Sequence, residues 1–172
     1  ALPILLCIAA MPAMAQITDK MAQDAYIYGY SMDEAYKFFY ETAIKTGTPR
    51  NRFQNIRHLA DDTEHPGINN DTLHLQGWLD LSAEPVIISV PDMDKGRYWI
   101  LHTMDMGHYT TSMIGSRTHG TKGGHFMFAS RSWKGETPAS VTEVIRVDSD
   151  ILKVMGRIMA TSKDDEKVAL GY

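Results

Sequence analysis

The chain has 172 residues, 44% of them hydrophobic, and a formal net charge of −4. This length and composition suit one domain with a substantial core. The negative balance gives no support to nucleic-acid binding, which usually needs a basic patch. We therefore expect no nucleic-acid partner. No apolar run with intact flanks reaches the length of a membrane span, so we also expect no stable span.

The first fifteen residues have the features of an export signal. Leu2 to Ala10 is apolar, and Ala13-Met14-Ala15 is a small-x-small cleavage pattern. We therefore interpret residues 1–15 as the remnant of a signal peptide and residues 16–172 as a single domain that is periplasmic or secreted. The alternative is that the apolar run stays uncleaved, as a strand or an anchor.

Aromatic residues at three- and four-residue spacing predict a helix from about Thr18 to Thr46. Gly29 and Ser31 weaken its middle, so we expect a break into two helices there. Aromatic stripes usually face a core, and we expect this one to do so rather than to bind a ligand. The residues of the stripe are Tyr26, Ile27, Tyr30, Tyr36, Phe39 and Tyr40.

Residues 50–70 show little periodicity and predict a long surface loop, whereas the chain from Thr72 to Asp148 is rich in predicted strands. Within residues 72–81, apolar and polar side chains alternate, which is typical of a half-buried strand. That alternation predicts that Leu79 lies in the core and that Trp78 faces the opposite, polar side. A hairpin turn at Asp94-Lys95-Gly96 is expected to lead into a further strand over residues 97–105.

From Asp148 onward, apolar residues follow the i, i+3, i+4, i+7, i+8 pattern of an amphipathic helix. Helices on both sides of a block of short strands predict an α+β fold, an antiparallel β-sandwich-like domain with N-terminal and C-terminal helices.

Short motifs distributed over the chain resemble the family known as domain of unknown function 1254. The resemblance runs in order from about Asp24 to Tyr172 and implies a β-sandwich with helical additions, but no established activity. The motifs are Tyr28-Gly29-Tyr30, Asn70-Asp71-Thr72-Leu73, Trp78-Leu79-Asp80-Leu81-Ser82, Glu84-Pro85, Val90-Pro91-Asp92, Arg97-Tyr98, Asp105, Gly115-Ser116-Arg117-Thr118, Gly120-Thr121, Trp133-Lys134-Gly135 and Gly156-Arg157.

The resemblance also implies that a second domain commonly follows the first. Without that domain, an apolar patch would be exposed, and the predicted C-terminal helix is the place we expect it. We therefore expect a homo-oligomer or a separate protein partner to bind through Ile151, Met155, Ile158 and Met159. The alternative is that this helix closes its own sandwich.

One polar face around residues 69–80 is the predicted binding site. The proposed ligand-binding residues are Asn69, Asn70, Asp71, Thr72, Trp78, Asp80, Arg117 and Thr118. Trp78 and Trp133 would stack against sugar rings, which favours a carbohydrate or a partner protein as the ligand of a binding or assembly module. The glycine-rich bend at residues 115–124 would either cradle an anion or serve as a hairpin turn.

The alternative function is hydrolysis by two carboxylates, for which the candidates are Asp71, Asp80 and Asp105. Carboxylates in such positions are more often caps or salt-bridge partners. The pairs His102/His108 and His119/His125 form no compact ligand motif, so we expect no metal. We expect no cofactor either, and no nucleophile motif is present.

Overall fold

The computed structural model describes residues 17–60 and 69–172. The predicted signal segment, residues 1–15, lies outside the described residues. The chain divides into two units, one ending at Tyr30 and the other covering Ser31–Tyr172. In the part of the chain that the structure describes, no helix combines the length and apolarity that crossing a membrane requires.

The described part of the chain begins with helix α1, followed by one π-helical segment and then eight strands with two further helices. The elements are α1 Asp19–Phe39, the π-helix Tyr40–Ile44, β1 Phe53–Ile56, β2 Thr72–Asp80, β3 Val86–Val90, β4 Trp99–Met104, β5 Thr110–Gly115, α2 Ser116–His119, β6 Gly124–Ser130, β7 Glu143–Val147, β8 Ile151–Met159 and α3 Lys163–Ala169.

The strands form two sheets that pack face to face. The five-stranded sheet has the order β1-β2-β8-β4-β5, and the three-stranded sheet has the order β3-β6-β7. All pairs are antiparallel except β6 and β7, which are parallel. The two sheets enclose the main core, and the fold is therefore the α+β, sandwich-like domain that the sequence predicts. Its fully buried large side chains include Leu79, Ile114, Phe126, Phe128, Leu152 and Val154.

Strand β2 confirms the predicted alternation. Leu79 is 2% exposed on the inner face of the five-stranded sheet, and Trp78 lies on the outer face. The chain does turn at residues 94–96, since the Arg97 amide donates to the Asp94 carbonyl and Gly96 has a φ of +86°. The predicted hairpin is wrong, because the strands on either side, β3 and β4, belong to different sheets.

The predicted helix from Asp148 is wrong at its start, because residues Ile151–Met159 form strand β8. This strand lies between β2 and β4 and is buried on both faces, so its apolar residues do not alternate and mimic a helical stripe. The C-terminal helix is α3, where the Ser162 hydroxyl accepts the Asp165 amide as the N-cap. The residues predicted to form an association surface on a helix, Ile151, Met155, Ile158 and Met159, therefore lie on a strand in the middle of the sheet.

Three other predictions are wrong. Helix α1 continues through Ser31 without a break, because a serine with no proline nearby leaves the helical hydrogen bonds intact. The aromatic stripe is expected to face a core, but four of its tyrosines are exposed, although Phe39 is buried. Part of the predicted loop at residues 50–70 is strand β1, an exposed edge strand whose period-two pattern is too short to recognise.

Candidate functional site

The outer face of the five-stranded sheet carries mixed apolar and ionisable side chains. Its register aligns Trp78 with Lys153 and Lys153 with Met104 across β2, β8 and β4. The neighbouring row aligns Gln76, Met155 and His102 in the same way. Because residues two apart on a strand share a face, these two rows form one continuous surface.

The second half of α1 and the π-helix cover part of this surface. The Phe39 ring meets the Trp78 ring edge-on, with centroids 4.8 Å apart, and the Phe38 centroid lies 6.0 Å from that of Trp78. The Trp78 indole donates to the Thr42 hydroxyl at 3.0 Å. Trp78 is therefore only 5% exposed, although it lies on the outer face.

A cavity of about 520 Å³ remains between this helical segment and the sheet; we name it the outer-face cavity. Its volume falls within the range typical of small-molecule sites. Its lining residues are Glu34, Ala35, Phe38, Trp78, Met104, Asp105, His108, Lys153 and Met155.

Lys153 is the charged group of this cavity that lies deepest, with 4% of its surface exposed. Its ammonium donates to the Gln76 side-chain oxygen at 3.1 Å and lies 4.6 Å and 5.0 Å from the ring centroids of Phe38 and Trp78. Burial lowers the pKa of Lys153 to about 8, because the charged amine loses its hydration. Among the described residues, no carboxylate oxygen lies within 4 Å of its nitrogen.

The two carboxylates that line the outer-face cavity are engaged elsewhere. Glu34 accepts from the Lys37 ammonium at 2.8 Å. Asp105 accepts the amides of Gly107 and Tyr109 at 2.8 Å and 3.0 Å, which stabilises the β4–β5 turn. Lys153 therefore keeps an ammonium that no carboxylate of the cavity neutralises by direct contact.

A second cavity, of about 250 Å³, lies between the two sheets. Its walls are mostly apolar and include Leu75, Val90, Trp99 and Ile158. It is therefore part of the interface between the two sheets and is separate from the outer-face cavity.

The predicted binding residues at the start of β2 act as local caps. The Asn69 side-chain oxygen accepts the Asp71 amide and the Thr72 hydroxyl, both at 3.0 Å. Asn70 and Asp71 are exposed. Thr72 also hydrogen-bonds His74, whose pKa is lowered by burial and by the charge of Arg157.

The three catalytic candidates do not lie together: Asp71 is at one end of the sheet, and Asp80 and Asp105 are at the other. Asp71 and Asp80 are separated by the length of β2, roughly 30 Å. Asp105 follows β4 at the Asp80 end, two strand spacings or roughly 10 Å across. The Asp80 carboxylate bonds the Ser82 hydroxyl and amide and pairs with Arg50 at 3.0 Å, and these bonds to Ser82 lower its pKa.

The remaining predicted residues are dispersed. Arg117 is exposed on α2, and the hydroxyl of Thr118 accepts the Gly115 amide at 3.0 Å. The register places them at the Asp71 end, three strand spacings or roughly 14 Å from β2. Trp133 follows β6 of the other sheet, beneath the Arg146 guanidinium. The structure therefore does not bring Trp78 and Trp133 together, and the carbohydrate and hydrolase functions stay predictions.

Three of the four histidines in the predicted pairs contact polar side chains. His102 contacts Thr110 at 2.9 Å, His119 contacts Glu143 at 3.0 Å, and His125 contacts Ser89 at 2.8 Å. Within residues 17–60 and 69–172, no three His, Cys, Asp or Glu side chains are grouped to hold a metal ion.

Sequence reasoning missed Lys153, the central residue of the outer-face cavity. Its signal is a lysine within a mainly apolar stretch of nine residues, in which Arg157 is the other charged residue; the helical interpretation assigns this lysine to a solvent-exposed face. The other walls come from α1, β2 and β4, which only the tertiary fold brings together.

The architecture and the outer-face cavity define a small sandwich-like domain with one helix-covered sheet face. The model of the family described as "Protein of unknown function (DUF1254)" matches residues 50–170. The chain belongs to this family, as its motifs predict. No curated protein matches the sequence.

Two solved structures are similar to this chain. The crystal structure of the VPA0106 protein from Vibrio parahaemolyticus is 65% identical, with a TM-score of 0.80, over 89% of this chain. The match spans 36% of that longer chain. An uncharacterised protein from Burkholderia cenocepacia is 13% identical with a TM-score of 0.47, over 74% of this chain and 36% of its own.

Proposed function

We propose that the chain is an assembly module that docks to a second protein domain through the first half of α1. This segment, Asp19–Tyr30, is here named the docking helix. The observation that carries the proposal is its exposed apolar surface: Tyr28 is 90% exposed, Tyr26 68% and Ile27 63%. Met21 and Tyr30 are also exposed.

These side chains surround the docking helix instead of forming one stripe. At roughly 100° per residue, Met21 and Tyr28 point to one side, Tyr26 and Tyr30 to the opposite side, and Ile27 between them. Large apolar side chains on several sides of a helix favour burial against protein, while Lys20 and Asp24 form a polar pair at the start of this helix. A helix lying on a membrane surface would instead separate its apolar and polar faces. The distribution therefore favours a protein partner that surrounds the helix.

The similar VPA0106 structure supports a specific kind of partner. Nearly two thirds of that chain lies outside the match, although the two proteins are 65% identical where they align. We propose that the docking helix packs against a domain equivalent to that additional part. Burial of large exposed aromatic side chains would supply the main favourable term in such docking.

A photo-crosslinking amino acid in place of Tyr28 tests this assignment in the organism that makes the protein. The expected product joins position 28 to a peptide that aligns with the part of VPA0106 outside the match. The same substitution at Tyr109, a tyrosine that is 75% exposed in the β4–β5 turn, is the matched control and should give no such product.

Two results would overturn the proposal. A crosslink from position 28 to residues 17–172 of a second copy would mean that the chain self-associates. A crosslink to lipid, or equal yields at positions 28 and 109, would mean that the docking helix has no protein partner of the proposed kind.

We also propose that the module acts after export, in the periplasm or outside the cell. The apolar run and the Ala13-x-Ala15 site support this. Intact-mass analysis of the protein recovered from its natural compartment should show Gln16 as the first residue. A mature protein that retains Leu2–Ala10 would contradict the proposal and favour the uncleaved anchor.

A further inference from the structure

We propose that the outer-face cavity binds a small organic acid. In this proposal the carboxylate of the ligand pairs with the Lys153 ammonium, and its apolar body packs against Phe38, Trp78 and Met104. The proposal does not depend on the docking helix, because every residue that lines the cavity belongs to the unit Ser31–Tyr172.

Lys153 gives the outer-face cavity one buried cation that can pair with an anion. The Lys153 ammonium has three N–H donors, and among the residues that the structure describes it makes one hydrogen bond, to Gln76. Glu34 pairs with Lys37, and Asp105 accepts two backbone amides. A ligand carboxylate would therefore be the first anionic partner in direct contact with a buried cation, where charge-assisted hydrogen bonds are strong.

The walls of the outer-face cavity favour a ligand with an apolar or aromatic body. Phe38 and Trp78 present rings, and Met104 and Met155 present flexible thioether side chains that adapt to different shapes. The volume of about 520 Å³ leaves room for an acid of the size of a phenyl-substituted carboxylate.

A cationic ligand fits the same walls less well. Aromatic rings attract cations, but the Phe38 and Trp78 rings already face the Lys153 ammonium at 4.6 Å and 5.0 Å. A second cation in the outer-face cavity would be repelled by the buried Lys153 ammonium.

Calorimetric titration with two probes of nearly equal shape tests the proposal. Phenylacetate carries the carboxylate and phenylacetamide does not. We expect the intact chain to bind phenylacetate roughly tenfold to a hundredfold more tightly at pH 7, since the difference is one charge-assisted pair. The preference should decline as pH rises above about 8, because the free Lys153 amine becomes neutral.

Lys153→Met should abolish the preference for the acid, because methionine fills a similar volume without a charge. Lys122→Met removes an exposed lysine in the loop before β6 and is the matched control, which should keep the preference. Circular dichroism verifies that each variant is folded. If Lys153→Met does not fold, the acid–amide comparison and its pH dependence in the unmodified chain decide the question.

Three results would overturn the proposal. One is equal affinity for acid and amide, and another is no saturation by phenylacetate up to about 10 mM. The third is an acid preference that persists in folded Lys153→Met, which would place the anion elsewhere, for example at Arg157.

Discussion

The inner and outer faces of the five-stranded sheet bury side chains of different chemistry at neighbouring positions. On the inner face, Leu79 and Leu152 are aligned and packed against the other sheet. The residues next to them, Trp78 on β2 and Lys153 on β8, are aligned on the outer face beneath α1. The inner face is mainly apolar, including around the cavity between the sheets, whereas the cavity of the outer face holds a buried charge.

Arg97 is a second buried cation, and unlike Lys153 it pairs with a carboxylate. Arg97 is 8% exposed, and it donates to Asp165 at 2.7 Å and to the Met159 carbonyl at 2.6 Å. This pairing fastens α3 to the sheet, and Arg97 lowers the pKa of Asp165 to about 2. Lys153 forms no ion pair of this kind with the carboxylates of residues 17–60 and 69–172; its partners are the Gln76 side chain and the rings of Phe38 and Trp78.

The largest expected effect is at the inner face. Leu79→Ala should lower the free energy of unfolding by about 2–5 kcal/mol, because it opens a cavity in a packed core. Denaturant titration measures the change. Met113→Ala, on the exposed part of the outer face, is the control and should cost less than about 1 kcal/mol. Equal losses in the two variants would contradict the difference between the faces.

The next effect concerns the charge on the outer face. The pKa of Lys153 is about 8 when folded, against 10.5 for an ordinary lysine, so the unfolded chain binds more protons between these values. The burial penalty is therefore complete below pH 8 and relieved as pH rises to about 10.5. Relative to Lys153→Met, the unmodified chain should gain about 3 kcal/mol of stability over this range.

Chemical denaturation of both proteins at pH 7, 8, 9 and 10 measures this difference, with other titrating groups cancelling in the comparison. Lys153→Met should also be at least as stable as the unmodified chain at pH 7, because replacing a poorly compensated buried charge by a hydrophobic group is often stabilising. A stability difference independent of pH would mean that Lys153 titrates as an exposed lysine.

A smaller effect is expected where β8 crosses the inner face at Gly156. A Cβ atom there would lie 2.6 Å from Leu75 Cγ and 3.0 Å from Leu101 Cδ2. Gly156→Ala should therefore cost about 1–3 kcal/mol by overpacking. Adding Leu75→Ala should recover part of this loss, and the double-mutant cycle measures the coupling. Strictly additive losses would contradict a direct clash.

The two faces also explain which elements the sequence predicts. Strand β2 has one fully apolar face and one mixed face, so its alternation is visible and the positions of Leu79 and Trp78 are predicted correctly. Strand β8 carries apolar residues on both faces because it lies between β2 and β4 and beneath α1. Its residues 151, 152, 154, 155, 158 and 159 then fit a helical pattern better than an alternating one.

The outer-face cavity is less accessible to sequence reasoning. Its walls range from Glu34 to Met155 along the chain, and no spacing relates them. The exposed tyrosines of α1 illustrate the same limit, because a periodic aromatic stripe indicates that something covers it but not whether this chain supplies the cover.

The smallest effect concerns the hydrogen bond that joins the outer face to its helical cover. Trp78→Phe keeps an aromatic ring but removes the indole donor to the Thr42 hydroxyl, and should cost about 1 kcal/mol. Thr42 keeps its own hydrogen bond to the Phe38 carbonyl at 2.6 Å, so no buried hydroxyl is left without a partner.

Thr42→Val removes the acceptor of the bond that the Trp78 indole donates. If the bond carries the effect, the double variant should lose less stability than the sum of the two single variants. Additive losses would mean that ring packing against Phe39, rather than the hydrogen bond, holds the helical cover on the outer face.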